Sequence, residues 1–502
     1  MKPPKTLLLI FFFALLLRLY NLSTFPMGFH VDEIKVAWQS LSILKTGRDD
    51  QGTFLPLYYN SFGDYRPTGI FYLTIPSILL LGKSEIATRF PSAFLGALTV
   101  FPIYFLAERF SEKKKLIPLG AAFFLAILPW HISTSRGTSE VVVSCFLILS
   151  SFVLLKKYPL FSFIFLIASF FFYHSARVIG PLFMAIWITK SWNEIEVKIR
   201  KKIFFFFLIT TFLSATLLFS PTGLARYNQV KSPFFNLRNT LIQYFSYFDP
   251  NFFIGDIAKP FRYVTSNIGI VSLPIFFLFL LGIYVLIKSN QNKILFLFFV
   301  LAPLPASLTL EDSPNLHRSF FLLPFLVITA SVGLNWLWDK HQLLAKITLM
   351  GTFFSLLAFL INYFTPNNNF AFQYRNPQTK ELAFFLANQT NSYNHIYITN
   401  DPDSPYPWYA FFTNISPSDI NPQFQKQING KWQYHTLIWD NTRCPAASAF
   451  DKALQDKTKI LVVDQGACYT DFNRIHSEAK LLTEFIYNTK VSYRIWEYDR
   501  TQ

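Results

Sequence analysis

The stretch KTLLLIFFFALLLRLYNL, residues 5–22, opens the chain with an almost unbroken apolar run. Similar runs of about 15 to 22 residues recur from Thr6 to Phe364, the length that a helix needs to cross a hydrocarbon core of about 30 Å. Of the 502 residues, 52% are hydrophobic and only 15% are charged, well below the roughly 25% charged residues of soluble domains. We therefore predict a mainly α protein whose first two-thirds form a polytopic transmembrane helical bundle.

The apolar runs after the first helix predict ten further spans, which makes about eleven in all. The shorter run from Thr68 to Leu81 contains Pro76 and has only about 14 residues, which favours an interfacial or re-entrant helix. If that run crosses the membrane, one neighbouring assignment must change. The ten spans lie at about 90–108, 116–131, 139–155, 159–173, 178–190, 203–220, 270–287, 294–310, 319–338 and 343–364.

Basic residues set the orientation of the predicted bundle in the cell membrane. The segment from Met1 to Tyr20 has the basic start of a signal peptide, but Arg18 ends its apolar run and no small-residue cleavage site follows, so we predict a retained helix with a cytoplasmic N-terminus. The basic clusters of the later connections then all fall on the cytoplasmic side, as the Lys/Arg orientation rule expects. These clusters are Lys113–Lys115, Lys156–Lys157, Lys198 to Lys202, Lys288 with Lys293, and Lys340 with Lys346.

An odd number of crossings places the end of the chain outside the cell. We predict a transmembrane domain over 1–364, with an outer loop at 21–89, and an extracytoplasmic soluble domain over 365–502. The run Asn367–Asn369 is typical of a linker. A helix at 379–388 and strands at 395–399, 436–439, 460–463 and 491–498 predict a small C-terminal α/β domain.

Net charge and cysteine content narrow the classes of function. The chain has 45 Lys and Arg against 29 Asp and Glu, a formal net charge of +16, but no Lys/Arg-rich element with interleaved stacking residues, so we predict no nucleic-acid partner. Cys145 lies in an apolar run, whereas Cys444 and Cys468 lie in the polar C-terminal region. An extracytoplasmic location would permit a Cys444–Cys468 disulfide, and the sequence leaves the bridged and the free states equally open.

Ionisable residues gather on the predicted outer side, and such residues at the ends of membrane helices are candidates for function. Asp32 and Glu33 lie in GFHVDE, residues 28–33, shortly after the first helix. A carboxylate there could accept the proton of an acceptor hydroxyl as its oxygen attacks a sugar carbon. The alternative is a solvated helix N-terminus, where the helix dipole favours acids. The other candidates on this side are Asp64, Tyr65, Arg66, Glu85, Arg89, Ser135, Arg136, Glu140, Tyr173, His174, Arg177, His317 and Arg318.

Arginines at the predicted outer helix ends are candidate phosphate ligands. A leaving polyprenyl phosphate concentrates negative charge on oxygens that the bidentate donors of arginine fit. The alternative is local: the side chains reach lipid headgroups, or Glu85 with Arg89 and Arg136 with Glu140 close salt bridges at i,i+4 spacing. We expect two or three of five arginines to contact phosphate. The five are Arg66, Arg89, Arg136, Arg177 and Arg318.

Four histidines are candidate metal ligands beside the acids of GFHVDE. These are His30, His131, His174 and His317, and none forms a close pair of the type His-x-x-x-His. Because isolated histidines are a weak metal signal, each is better explained as a hydrogen-bonding residue at the membrane interface. The sequence therefore requires no cofactor, and it leaves a divalent metal open.

Several short segments occur in a distinctive order. They are LRLYNL at 17–22, Pro26, Asp32 with Glu33, YRP at 65–67, EIATRFPSA at 85–93, Ser135 with Arg136, YHSAR at 173–177 and HRSFFLLP at 317–324. Over about residues 10 to 365, this set resembles the dolichyl-phosphate-mannose protein mannosyltransferase family and its bacterial relatives in the GT-C superfamily. The bacterial branch includes the aminoarabinose transferase that modifies lipid A.

The resemblance implies an inverting glycosyltransferase that moves a sugar from a polyprenyl-phosphate donor on the outer face of the membrane. It implies that Asp32 is the base, with Glu33 as its acidic neighbour and Asp64 as a second acidic residue of the site. The family often has a second proline where this chain has Thr68, which weakens the assignment of that turn. The acceptor, a protein, lipid or cell-envelope glycan with a hydroxyl or amine, and the sugar stay open, and membrane lipids are further partners.

Two alternatives of other classes are weighed against transfer. A transporter or flippase of a lipid-linked sugar also needs many helices and cationic phosphate contacts, but it should place ionisable groups near the bilayer midplane rather than at one rim. A membrane-anchored binding or assembly protein would make the rim residues incidental. Replacement of Asp32 would then be harmless. A glycosyltransferase would instead lose its transfer activity when Asp32 is replaced.

Overall fold

The computed structural model describes residues 3–61, 64–111, 114–231, 236–264, 268–289, 293–309, 312–365, 375–400, 403–424, 431–468, 479–487 and 489–499. The side chains of residues 61, 64, 226, 230 and 447 are outside this description. The predicted linker Asn367–Asn369 and Lys113 of the first basic cluster also lie outside the described residues.

Helices dominate the part of the chain before residue 365. They are α1 (Lys5–Leu19), α2 (Val31–Thr46), α3 (Gly69–Leu81), α4 (Glu85–Leu98), α5 (Val100–Glu108), α6 (Leu116–Ile127), α7 (Pro129–Arg136), α8 (Glu140–Leu154), α9 (Pro159–Ser169), α10 (Ala176–Ser191), α11 (Val197–Phe219), α12 (Pro221–Val230), α13 (Leu237–Ser246), α14 (Pro250–Ile254), α15 (Leu273–Ser289), α16 (Lys293–Leu301), α17 (Leu304–Ser307), α18 (Leu323–Lys340) and α19 (Gln342–Tyr363). An antiparallel ribbon of β1 (Tyr58–Ser61) and β2 (Asp64–Pro67) lies between α2 and α3.

The part after residue 374 alternates helices and strands. Its helices are α20 (Thr379–Gln389), α21 (Tyr406–Phe412), α22 (Pro417–Phe424) and α23 (Ala446–Asp456). Its strands are β3 (His395–Thr399), β4 (Lys431–Tyr434), β5 (Leu437–Asp440), β6 (Ile460–Gln465), β7 (Lys480–Tyr487) and β8 (Lys490–Tyr498). The predicted mainly α fold with a small C-terminal α/β part is confirmed.

Not every predicted span is one long helix. Among the described residues, four helices are long and apolar enough to cross a membrane, and the bent pair α6 and α7 would make a fifth. Five shorter apolar helices of 10–17 residues accompany them, including α3 where the interfacial helix is predicted. The count of eleven spans stays a prediction. The four long helices are Glu85–Glu108, Val197–Phe219, Phe320–Lys340 and Gln342–Tyr363.

The chain divides into two compact units. The first contains Met1–Leu22, Leu57–Ile70 and Arg89–Phe370, and the second contains Ser23–Pro56, Phe71–Thr88 and Ala371–Gln502. This grouping differs from the predicted boundary after residue 364, because two segments of the predicted outer loop 21–89 pack with the C-terminal part of the chain. Asp32 therefore belongs to the second unit, and the five candidate arginines belong to the first.

In the first unit, a break between α6 and α7 divides the helix predicted at 116–131, and the two axes differ by 52°. Pro129 has no N–H to donate to the Leu125 carbonyl, and the Trp130 N–H donates to Ile270 instead of Ala126, at 2.9 Å. Arg18 replaces both donors: its guanidinium donates to the Ala126 carbonyl at 3.0 Å and to the Leu125 carbonyl at 3.3 Å. A buried arginine of α1 thus stabilises the break that redirects the chain into α7.

In the second unit, six strands form one sheet in the order β4-β5-β3-β6-β8-β7. The central strands β5, β3 and β6 are parallel, and β4, β7 and β8 are antiparallel additions. All residues of β6 except Gln465 are buried, as expected of a parallel strand that is covered on both faces. The prediction contained β3, β5, β6 and β8 but neither β4 nor β7, whose residues are mostly part-exposed.

Helix α2 is part of the core of the second unit, although the sequence analysis treats residues 21–89 as a loop. Trp38 is fully buried and its ring meets that of Tyr406 edge to face, with centroids 6.1 Å apart. The Asn421 amide donates to the Ser42 hydroxyl at 2.9 Å. These contacts join α2 to α21 and α22, so the outer loop has a fixed helix at its centre.

The structure contains a disulfide between Cys444 and Cys468, with a Cα–Cα distance of 5.8 Å. Cys145 is free and buried. The bond joins the start of the segment leading into α23 to the residues after β6. It resolves the alternative that the sequence leaves open, and disulfides persist mainly in oxidising compartments.

Candidate active site

Asp32 lies in the first turn of α2, where His30 caps the helix. The Asp32 N–H donates to His30 Nδ1 at 3.1 Å, and the His30 N–H donates to the Glu33 carboxylate at 3.2 Å, which makes a capping box. Asp32 Oδ2 lies 3.4 Å from His30 Nδ1, and 25% of the Asp32 side chain is exposed. Both acids therefore lie at a helix N-terminus, and Asp32 keeps part of its side chain exposed.

Glu33 has a different environment from its neighbour. Its Oε2 accepts from Arg375 Nη1 at 2.6 Å, and both side chains are only 1% exposed. A buried carboxylate that is already held by a guanidinium has no access to an acceptor hydroxyl. The catalytic role predicted for Glu33 therefore gives way to a structural one, because Glu33 links the cap of α2 to a residue that follows the bundle.

Two of the candidate arginines converge on the C-terminal end of α1. Arg136 donates to the carbonyls of Leu17 at 2.9 Å and Arg18 at 3.1 Å, and Arg89 donates to the carbonyl of Leu22 at 3.1 Å. Both side chains are fully buried. The last carbonyls of a helix lack intrahelical donors and carry the negative end of its dipole. Arg136 satisfies that end of α1, and Arg89 satisfies a carbonyl of the segment that follows it.

Glu85 and Glu140, the two acids of the predicted salt bridges, lie at helix N-termini. Arg136 is the last residue of α7 and Glu140 is the first of α8, so the two are not one turn apart on a single helix. Glu85 accepts from the Lys380 ammonium group at 2.7 and 3.0 Å, within the second unit. Arg89 and Arg136 thus each have main-chain partners in addition to any local acid.

A third candidate arginine belongs to a cluster of the ribbon and α10. Arg177 donates to the Phe170 carbonyl at 3.0 and 3.1 Å, just after the end of α9, and its guanidinium lies 5.3 Å from the Tyr58 ring centroid. His174 shares a hydrogen bond of 3.1 Å with Arg177, and its other ring nitrogen lies 2.9 Å from the Tyr65 carbonyl. The structure thus brings together the predicted residues Tyr65, His174 and Arg177.

The predicted pair His317 and Arg318 lies in the turn before α18. The Asn315 side-chain oxygen accepts from the backbone N–H groups of both residues, at 2.9 and 3.0 Å. The His317 ring stacks on Tyr263 with centroids 4.2 Å apart. Arg318 donates to the Thr309 hydroxyl at 2.7 Å and, unlike the three arginines above, keeps part of its side chain exposed.

The remaining predicted residues are placed as follows. Arg66 lies in β2 opposite Tyr59 and is part-exposed. Tyr173 is part-exposed after α9, where its ring lies 6.4 Å from that of Phe321. The side chain of Asp64 is outside the described part of the chain. Arg66 and Arg318 are therefore the two candidate arginines with accessible surface.

Two residues that matter for this geometry were not predicted as site residues. Arg18 supports the α6–α7 break, and the missing N–H of Pro129 was a usable signal for a substitute donor. Arg375 follows the bundle at a position that no motif marks. Within the described ranges, no three or more His, Cys, Asp or Glu side chains come together in a group that could hold a metal ion.

The fold is similar to that of a membrane-enzyme structure solved in two states, in line with the fold that the sequence resemblance implies. The chain is similar over 98% of its length to ArnT from Cupriavidus metallidurans, and it covers 96% of that chain. The apo ArnT structure gives a TM-score of 0.54 at 11% identity, and the structure bound to undecaprenyl phosphate gives 0.57 at 10% identity. Neither a family model nor a curated protein matches the chain.

Proposed function

We propose that this chain is a multi-pass membrane glycosyltransferase that transfers a sugar from a polyprenyl-phosphate donor to a hydroxyl or amine acceptor. The observation that carries the proposal is the fold, which over nearly the whole chain is that of an ArnT crystallised with undecaprenyl phosphate. The part-exposed carboxylate at the start of α2 supplies the base that such a transfer needs.

Asp32 is the proposed general base. Its carboxylate accepts the proton of the acceptor group while the acceptor oxygen or nitrogen attacks the anomeric carbon. The bond between that carbon and the donor phosphate breaks in the same step, which inverts the anomeric centre without a covalent enzyme intermediate. The capping box holds Asp32 at the start of a rigid helix, so little reorganisation is needed at the moment of reaction.

Arg66 and Arg318 are the proposed contacts of the donor phosphate. Both keep accessible surface, whereas Arg89, Arg136 and Arg177 are buried and donate to main-chain carbonyls. A guanidinium at the accessible surface can stabilise the charge that develops on the leaving phosphate.

The C-terminal unit and the active face are proposed to lie outside the cytoplasm. The Cys444–Cys468 disulfide supports this orientation, because the cytosol keeps thiols reduced. The cytoplasmic N-terminus follows from the same odd number of crossings. No role is proposed for a metal, and the acceptor and the sugar are the targets of the assay below.

The first experiment measures sugar transfer in liposomes from a panel of polyprenyl-phosphate sugars, with native protein and Asp32→Asn at matched folding. We expect Asp32→Asn to lower transfer about 10²- to 10⁴-fold, the range for loss of a general base, with donor binding retained. Asp249→Asn is the matched control, because Asp249 is also an aspartate at a helix N-terminus and asparagine caps as well.

The outcomes of this assay distinguish transfer catalysed through Asp32 from the alternatives. Equal transfer by Asp32→Asn and native protein would remove Asp32 from the mechanism. Movement of the donor across the bilayer without transfer would favour the flippase alternative. Loss of transfer in Asp249→Asn as well would show that the assay reports general damage rather than the chemistry of Asp32.

A further inference from the structure

The segment that carries Asp32 is fastened to the C-terminal part of the chain by its main chain. The Asn376 N–H donates to the Phe29 carbonyl at 3.1 Å, and the two residues form an antiparallel bridge. The Tyr487 hydroxyl contacts Met27 Sδ at 2.7 Å. Both contacts join residues just before Asp32 to residues more than 300 positions later, and all of them lie in the second unit.

Arg375 adds a charged contact on both sides of Asp32. Its Nη1 donates to Glu33 Oε2 at 2.6 Å and to the Gly28 carbonyl at 3.3 Å. Glu33 directly follows Asp32, and Gly28 precedes it by four residues. Removal of one member of a buried ion pair leaves the other charge uncompensated and is strongly destabilising, so the folded structure depends on this contact.

The main chain at Gly28 is packed too closely for any other residue. Gly28 has φ +68°, a left-handed conformation that side chains disfavour. A Cβ at this position would lie 2.6 Å from Cα of Pro377. Because this contact joins main-chain atoms, no flexible side chain could move to make room. The position of the 28–33 segment is therefore determined by residues 375–377.

We propose that the C-terminal segment Ala371–Gln502 takes part in catalysis by fixing Asp32, and that Arg375 is the positioning residue through which it acts. This inference rests on the proposed function of Asp32. It assigns a role to the domain that the sequence analysis leaves without one. A base displaced by about 1 Å can cost about 10²-fold in rate, so the contact has a measurable consequence.

The test compares Arg375→Met, Arg375→Lys and native protein, full length, in the transfer assay. We expect Arg375→Met to lower kcat about 100-fold, with the KM for the donor changed less than about threefold, because Arg375 acts on the base and not on the phosphate. Arg375→Lys keeps a cation beside Glu33 and should restore kcat to within about tenfold of native.

Arg494→Met is the matched control. Arg494 also pairs with a glutamate, its Nε lying 2.8 Å from Glu484 Oε1, and it donates to the carbonyls of Gly466 and Cys468. It lies in β8, in the same unit as Arg375, but makes none of the contacts to residues 27–33 described above. Arg494→Met should therefore keep native kcat. If it loses kcat as Arg375→Met does, the loss reports damage to the domain and overturns the positioning role.

Gly28→Ala keeps the experiment decisive if Arg375→Met does not fold. It moves the 28–33 segment away from Pro377 without leaving an unpaired buried charge, and the same fall in kcat is expected. Native kcat in either folded variant, together with an inactive Asp32→Asn, would overturn the inference and leave the proposed function intact. An active Asp32→Asn would instead overturn the proposed function itself.

Discussion

At the scale of single residues, the main finding is how the buried arginines are used. Arg18, Arg89, Arg136 and Arg177 all donate to main-chain carbonyls at or near helix ends. From sequence, an arginine at an outer helix end looks the same whether its partner is a carbonyl or a phosphate. The sequence therefore identified these residues as candidates for function. It could not distinguish arginines that bind main-chain carbonyls from arginines that bind a phosphate.

Arg136→Met and Arg318→Met should separate these two uses. Loss of Arg136 leaves carbonyls at the end of α1 without their buried donor, at a cost of about 1–3 kcal/mol for each, so the thermal midpoint in detergent should fall. Arg318→Met should keep the midpoint and weaken binding of a polyprenyl phosphate. A native midpoint with lost lipid binding in Arg136→Met would move Arg136 to the phosphate site.

At the scale of elements, the apolar helices were predictable and α2 was not. Unbroken apolar runs predict the helices of the first unit, and short apolar runs predict the buried strands β3 and β6. Helix α2, VDEIKVAWQSLSILKT, mixes polar and apolar residues and is covered by α21 and α22, which come over 350 residues later. Its burial depends on those distant partners, so no local pattern marks it as core.

Asp464 at the end of β6 predicts a pH dependence for the second unit. Burial raises the pKa of its carboxyl to about 6 from the ordinary 3.8, although Ala446 and Trp496 donate to it at 3.0 and 3.1 Å. The folded state therefore holds this proton more tightly than the unfolded chain does. This difference in proton binding stabilises the folded state by up to about 3 kcal/mol. The stabilisation is fully present below pH 3.8 and is lost as the pH rises through 6.

Pulse proteolysis of the full-length protein between pH 4 and 8 would measure this dependence, with cleavage between β5 and β8 as the readout. Asp464→Asn carries no titrating carboxyl, so its protection should change less over the window from pH 3.8 to 6. Asp456→Asn, an exposed neighbour on α23, should keep the native slope. Identical slopes in native protein and Asp464→Asn would contradict the assignment.

At the scale of the whole molecule, the sequence resemblance led to the correct fold although sequence identity to the solved structures is only 10–11%. Membrane composition and the order of the short segments were enough for that. The grouping of 23–56 and 71–88 with the C-terminal part was not predictable, because it depends on contacts across hundreds of residues. Spans and orientation rest on charge placement and remain predictions.

Cysteine labelling in intact cells tests the orientation. Lys452→Cys, exposed on α23, should react with a membrane-impermeant maleimide, whereas Lys157→Cys, exposed after α8, should react only after permeabilisation. Native Cys145 is buried and the other two cysteines are bridged, so the background should be low. Labelling of Lys157→Cys without permeabilisation would reverse the predicted topology.

The pair of Glu33 and Arg375 also bears on how the protein is made. Glu33 is translated early, whereas Arg375 is translated only after about three-quarters of the 502 residues. Most helices of the first unit are translated between these two residues. Until then the ion pair between the two side chains cannot form. A chain truncated near residue 364 would contain every apolar helix of the bundle and still be unable to complete the surroundings of Asp32, so premature termination should yield inserted but inactive protein.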